Sequence, residues 1–101
     1  MKIQLIFLAM VVGTISFATQ AGDELDTSTV REWVSQGRIL SVEQIAKQNE
    51  DRIAAKILDV EVEEKHGQIL YEFQVINAQG DVRELYFDAQ SGSFVKEEEK
   101  D

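Results

Sequence analysis

The sequence predicts an α+β domain in which N-terminal helices pack on one face of an antiparallel sheet. Residues 30–53 carry apolar side chains at helical spacing, whereas from Lys56 onward apolar and polar side chains alternate as they do in half-buried strands. Gly67, Gly80 and Gly92 separate the alternating runs at nearly equal spacing. This order is typical of a three- to four-stranded up-and-down meander with one apolar face, which the helices cover.

Residues 1–21 predict a secretory signal peptide. Lys2 precedes an apolar run over residues 3–18, and a small residue suited to a signal peptidase stands at Ala18 and at Ala21. An uncleaved membrane anchor is the alternative, but the run contains polar residues and is shorter than the roughly 20 residues that a membrane-spanning helix needs. We therefore predict a single exported domain at residues 22–101. It would be periplasmic, or secreted if the cell has no outer membrane, and would not be attached to a membrane after cleavage.

The composition excludes several classes of protein. The chain has no cysteine, so a disulfide framework and a lipoprotein anchor are excluded. Removing residues 1–21 takes away one lysine and no acid, which leaves nine basic against nineteen acidic side chains and changes the formal charge from −9 to −10. An acidic surface of this kind repels nucleic acid and anionic lipid. We expect no nucleic-acid partner. The acidity by itself is explained by solubility, and any charged partner surface would be basic.

Two capping boxes predict where the helices begin. Thr29 with Glu32 would begin the first helix, and Ser41 with Gln44 would begin the second. The apolar stripe of the second helix continues to Ile53.

The register of the strands follows from the rule that residues facing each other across an antiparallel pair share one face of the sheet. Each predicted pair joins two apolar residues: Val62 with Tyr71, Val60 with Phe73, Leu58 with Val75, Phe73 with Leu85, and Tyr71 with Phe87. A short fourth strand, SFVKEEE, leads into the acidic tail EEEKD. The first and the last strand would each leave an edge to which a partner strand can add.

The opposite face of the sheet carries a possible partner-binding surface, formed by Ile57, Glu61, Leu70, Glu72 and Ile76. Glu61 faces Glu72 there, and two like charges in that position destabilise a sheet by roughly a few tenths of a kcal/mol. Exposed apolar and acidic residues together suit protein binding. The alternative is that the apolar members pack beneath the first helix or the N-terminal segment.

Asp88, in the stretch DAQSG, is interpreted as a structural turn residue. Its carboxylate can accept hydrogen bonds from amides two or three residues ahead, and Gly92 tolerates a left-handed backbone. The sequence shows no carboxylate partner and no nucleophile with a base, and one histidine, His66, cannot form a zinc site alone. We predict no catalytic residue, cofactor or metal ligand. Weak calcium binding by the acidic clusters stays open, although no D-x-D-x-D-G loop is present.

The segments GRILSVEQIAKQNE and ILDVEVEEKHGQILYEFQVINAQGDVRELYFDAQSGSFV together resemble a PepSY domain. The likeness lies in a helix, a strand of the form xVxVE, the strand YEFQV, a glycine turn and a closing strand that ends in DAxxG, over roughly residues 36–98. The resemblance implies an exported, non-catalytic regulatory module that binds a protein partner, either a peptidase or the outer part of a membrane sensor. The alternative is a small-ligand or cation sensor that uses the acidic surface.

Overall fold

The computed structural model describes residues 23–100 and has an α+β architecture. The predicted signal peptide lies outside the described residues. No helix within residues 23–100 is long and apolar enough to span a membrane. The elements in chain order are β1 (Asp23–Glu24), α1 (Thr27–Ser35), α2 (Val42–Gln48), α3 (Glu50–Ile53), β2 (Lys56–Lys65), β3 (Gln68–Ile76), β4 (Val82–Asp88) and β5 (Phe94–Glu99).

The strands form one antiparallel sheet in the order β1-β2-β3-β4-β5. The predicted α+β class and antiparallel sheet are confirmed, whereas the predicted count of three to four strands is wrong because β1 adds a fifth. β1 has two residues, which pair with Glu63 and Glu64 near the end of β2. A strand of two residues has no alternation that a sequence pattern could reveal.

The register of the sheet confirms every predicted pair except that of Leu58 with Val75. A β-bulge between Ile57 and Asp59 places Ile57 opposite Val75. A bulge inserts one extra residue, so the positions before it change faces relative to a regular strand. Ile57 therefore lies on the face of Val75, and Leu58 is exposed. The confirmed pairs are Val62 with Tyr71, Val60 with Phe73, Phe73 with Leu85, and Tyr71 with Phe87.

The helix α1 begins earlier than predicted, because Asp26 and not Thr29 is its N-cap. The side chain of Asp26 accepts a hydrogen bond from the backbone amide of Thr29 at 2.9 Å. Both residue types cap helices well. Asp26 is selected because the amide of Leu25 donates to the carbonyl of Val62 at 2.8 Å, which holds residue 25 against the sheet and starts the helix directly after it.

The predicted capping box of Ser41 and Gln44 is confirmed by both of its hydrogen bonds. The helix does not continue unbroken to Ile53, since Asn49 separates α2 from α3. The side-chain amide of Asn49 donates to the carbonyl of Gly92 at 3.0 Å and so ties the end of α2 to the turn between β4 and β5.

The hydrophobic core lies between the helices and one face of the sheet. Residues of α2 and α3 belong to the same buried cluster as Tyr71, Phe73 and Phe87. The rings of Phe73 and Phe87 pack edge to face, with their centres 5.3 Å apart. The hydroxyl of Tyr71 donates to the carbonyl of Leu40 at 2.6 Å. All three helices pack on this face of the sheet, so no helix of the described residues covers the opposite face.

The acidic residues Glu97–Glu99, which were predicted to begin a tail, are part of strand β5. Arg83 of β4 pairs with Glu97, at 2.6 Å, and with Glu99, at 3.7 Å. These ion pairs hold part of the acidic segment against the neighbouring strand.

Candidate functional site

The sheet face turned away from the helices, which we call the open face, is the candidate functional site. Its composition follows from the register, because residues facing each other across neighbouring strands share a face. Three rows cross its centre: Glu61, Glu72, Tyr86 and Lys96; Glu63, Leu70 and Asp88; and Asp59, Gln74, Glu84 and Glu98.

Four of the five predicted partner-face residues lie on the open face, and Ile57 does not. The bulge turns Ile57 to the helix-covered side, opposite Val75. Leu70 is on the open face but is only 4% exposed, so a partner cannot reach much of it. Ile76 is half-buried at the end of β3. The side chains that a partner can reach on the open face are therefore mainly acidic and not apolar.

The centre of the open face is a group of four half-buried glutamates, Glu61, Glu63, Glu72 and Glu84, which we call the carboxylate cluster. Carboxylate oxygens of the first three lie within 4.8 Å of one another. Burial, together with hydrogen bonds to Glu63 and Glu84 and their charges, raises the pKa of Glu72 to about 8. Burial also raises the pKa of Glu61, and neighbouring carboxylates add to that rise. The carboxylate cluster therefore holds a proton at higher pH than an isolated glutamate does.

Glu84 and Tyr86 belong to the site, although the sequence reasoning did not assign them to it. The signal was present, because the predicted pair of Phe73 with Leu85 also places Glu72 opposite Tyr86. The hydroxyl of Tyr86 donates to Glu84 Oε1 at 3.3 Å, and burial raises the pKa of this tyrosine.

Two lysines border the carboxylate cluster. Lys96 Nζ lies 4.8 Å from the centre of the Tyr86 ring and forms an ion pair of 2.9 Å with Glu98. Lys100 Nζ lies 3.5 Å from a carboxylate oxygen of Glu84. Within residues 23–100, no ion pair brings a cation to the other three glutamates of the cluster.

Asp88 lies at the end of β4, where the turn to β5 uses its carboxylate. Oδ1 accepts hydrogen bonds from the backbone amides of Gln90 and Ser91 at 2.8 and 2.9 Å, and Oδ2 accepts one from the side chain of Gln68 at 3.0 Å. Burial alone would raise the pKa of Asp88, but these hydrogen bonds lower it below its ordinary value. Gly92 completes the turn with a φ of +81°. The carboxylate has the geometry of a structural residue.

Replacing Asp88 by alanine is expected to lower the free energy of unfolding by about 1 kcal/mol, because two turn amides lose their acceptor. Urea denaturation followed by circular dichroism measures this loss. Asp81→Ala, at an exposed position of the loop between β3 and β4, is the matched control and should change stability by less than about 0.5 kcal/mol. Equal stability of the Asp88 variant and the parent would contradict the turn role.

Two of the cavities within residues 23–100 lie next to the helices, outside the carboxylate cluster. One, of about 510 Å³, is lined by residues 47–52 around the junction of α2 and α3. The other, of about 200 Å³, lies on the helix-covered side and is lined in part by Arg52, Val75 and Arg83. Neither includes a residue of the cluster. His66, the one histidine, is exposed in the turn between β2 and β3.

Searches against protein-family models, curated proteins and solved structures found no match to this chain. The likeness to PepSY domains therefore rests on the sequence motifs.

Proposed function

We propose that this chain is an exported, non-catalytic module of the PepSY type that binds another protein through its open face. The carboxylate cluster is the observation that carries the proposal. Like charges held together in a partly buried position destabilise a sheet, and protonation of one of them only reduces that effect. Lysine or arginine side chains of a partner would stabilise the arrangement by pairing with these carboxylates.

The charge of the whole chain supports a basic partner surface. The formal net charge is −9, and the acidic residues of β2, β3 and β4 meet on one face of the sheet. A concentrated negative field of this kind speeds the approach of a basic surface and repels acidic ones. A peptidase or the outer part of a membrane sensor, in the periplasm or outside the cell, is the class of partner that the PepSY likeness implies.

The chemistry of the open face favours binding over catalysis. A raised carboxyl pKa is common in enzymes, but catalysis also needs a second group in a different role and a site that holds the substrate. The three central rows of the open face contain no serine or histidine, and the chain has no cysteine. Asp88, at the margin of the face, has its carboxylate engaged by the turn.

Affinity capture with a charge-neutral variant tests the proposal. The protein is used as bait against envelope extract of its host, including detergent-solubilised membranes, and the captured protein is identified and purified. We expect the partner to bind the parent and to bind the triple variant Glu61→Gln, Glu63→Gln and Glu84→Gln at least about tenfold more weakly, because three carboxylates have lost their charge.

The control removes the same charge elsewhere. Glu43, Glu50 and Asp51 are exposed on α2 and α3, and the variant Glu43→Gln, Glu50→Gln and Asp51→Asn should bind as the parent does. Equal weakening by both triple variants would show that only net charge matters and would contradict a site on the open face. Capture of no protein by the parent would contradict the binding function.

Cation sensing is the second candidate, favoured by the oxygens of Glu61, Glu63 and Glu72 that lie within 4.8 Å of one another. Carboxylate oxygens are ligands that calcium prefers. Titration calorimetry with calcium chloride distinguishes the two candidates. Heat of binding that is seen with the parent and disappears in Glu72→Gln would favour cation sensing. A flat titration of the parent would exclude it.

A further inference from the structure

A free strand edge lies at β2, apart from the carboxylate cluster. β1 pairs only with Glu63 and Glu64, and the amide of Leu25 donates to the carbonyl of Val62. Residues 56–61 have no neighbouring strand on that side among the described residues. Backbone amides and carbonyls at such an edge can pair with an added strand.

This free edge exposes apolar side chains. Ile57 is 38% exposed and Leu58 is 46% exposed, and both lie next to each other in the unpaired part of β2. Apolar side chains at an unprotected edge are stabilised when another strand covers them.

The segment 56–61 is complementary to a second copy of itself. When two copies pair antiparallel about a two-fold axis perpendicular to the sheet, Lys56 can lie opposite Glu61 of the second copy and Ile57 opposite its Val60. The two outer pairs then join a basic with an acidic residue and two apolar residues, and Leu58 lies opposite Asp59 at the centre. The symmetry produces each pair twice.

The bulge makes this register possible. Lys56 lies opposite Ile76 and Glu61 opposite Glu72, which places both on the open face. Ile57 lies opposite Val75, on the core-facing side with Val60. In a regular strand, residues 56 and 61 would point to opposite faces, because their separation is odd. The extra residue at the bulge brings each proposed pair to the same face.

The other edge of the sheet is much less suited to a second copy. Antiparallel self-pairing of β5 would bring two copies of the acidic run Glu97–Glu99 together, and like charges facing each other are destabilising. β2 carries both signs of charge in the matching positions, and β1 occupies the edge only beyond residue 61.

We infer that two copies of this protein form a two-fold symmetric dimer by pairing residues 56–61 of β2 edge to edge. The two sheets become one continuous sheet, the helices of both copies lie on one side, and the two open faces lie side by side on the other. The inference goes beyond the proposed function and does not depend on it. It also predicts that a partner of the open face meets two adjacent carboxylate clusters.

Sedimentation equilibrium of the full chain, as its host processes it, tests the dimer. We expect twice the mass of one chain, and we expect Lys56→Glu to weaken dimerisation at least about tenfold, because two attractive pairs become repulsive. The double variant Lys56→Glu with Glu61→Lys exchanges the charges and should restore the parent's dimerisation constant. Lys47→Glu, which makes the same change on the exposed surface of α2, should leave it unchanged.

Three outcomes would overturn the inference. The first is a parent that stays monomeric at its highest soluble concentration. The second is a dimer that neither Lys56→Glu nor Leu58→Glu weakens, since the interface would then lie elsewhere. The third is a folded double variant that dimerises no better than Lys56→Glu, which would exclude the proposed register.

Discussion

Replacing Phe73 by alanine is expected to lower the free energy of unfolding by about 3–5 kcal/mol. Phe73 is fully buried at the centre of β3, opposite Val60 and Leu85. Its ring packs edge to face against Tyr71 and Phe87, with centres 6.3 and 5.3 Å apart. Truncation removes apolar contacts and leaves a cavity that the flanking strands cannot close, because their hydrogen bonds hold them at a fixed spacing.

Urea denaturation, followed by circular dichroism and by the fluorescence of Trp33, measures the loss. For a domain of this size, about 3–5 kcal/mol is a large share of the total stability. Val95→Ala is the control, since Val95 is 41% exposed, and it should cost less than about 0.5 kcal/mol. A Phe73 variant as stable as the control would contradict a core on this face.

The carboxylate cluster is expected to make the protein less stable as the pH rises from about 4.5 to about 8. The ordinary pKa of a glutamate is 4.5, and in the folded protein the pKa of Glu72 is raised to about 8. Between these values the folded chain binds more protons than the unfolded chain, so stability falls with rising pH. Below this range both states are protonated, and above it both are ionised.

The free energy of unfolding is expected to differ by about 2 kcal/mol between pH 5 and pH 8.5. This is less than the full pKa shift would give, because solvent that still reaches Glu72 screens its charge. The variant Glu72→Gln should lose most of this pH dependence and should be more stable than the parent at the higher pH. Denaturation curves at several pH values measure both effects. The hydrogen bonds that lower the pKa of Asp88 contribute stability that is lost only as the pH falls below its ordinary 3.8, outside this range.

Glu43→Gln, at an exposed position on α2, is the control and should keep the slope of the parent. Stability of the parent that is constant or rises between about pH 5 and 8 would contradict a raised pKa in the half-buried carboxylate cluster. If the Glu72 variant keeps the full dependence of stability on pH, another titrating group must cause it.

Local signals predicted the parts of the fold whose hydrogen bonds are local. The capping box of Ser41 and Gln44 lies within four residues and was predicted correctly. The cap of α1 was misplaced because the choice between Asp26 and Thr29 depends on residue 25 bonding to Val62, which lies far along the chain. Local propensity therefore could not distinguish two good capping residues.

The alternation of apolar and polar residues by itself determined the antiparallel sheet, the pairs of Phe73 and the face that forms the core. Only the tertiary structure decided that Ile57 leaves the open face and that carboxylate oxygens of Glu61, Glu63 and Glu72 lie within 4.8 Å of one another. Alternation assigns a residue to a face by the number of residues that separate it from the rest of the strand. A bulge adds one residue to that number and has no sequence signature, so the assigned face is wrong beyond it. How closely side chains on one face approach each other depends on their rotamers and on the twist of the sheet, which the alternation of residue types does not specify.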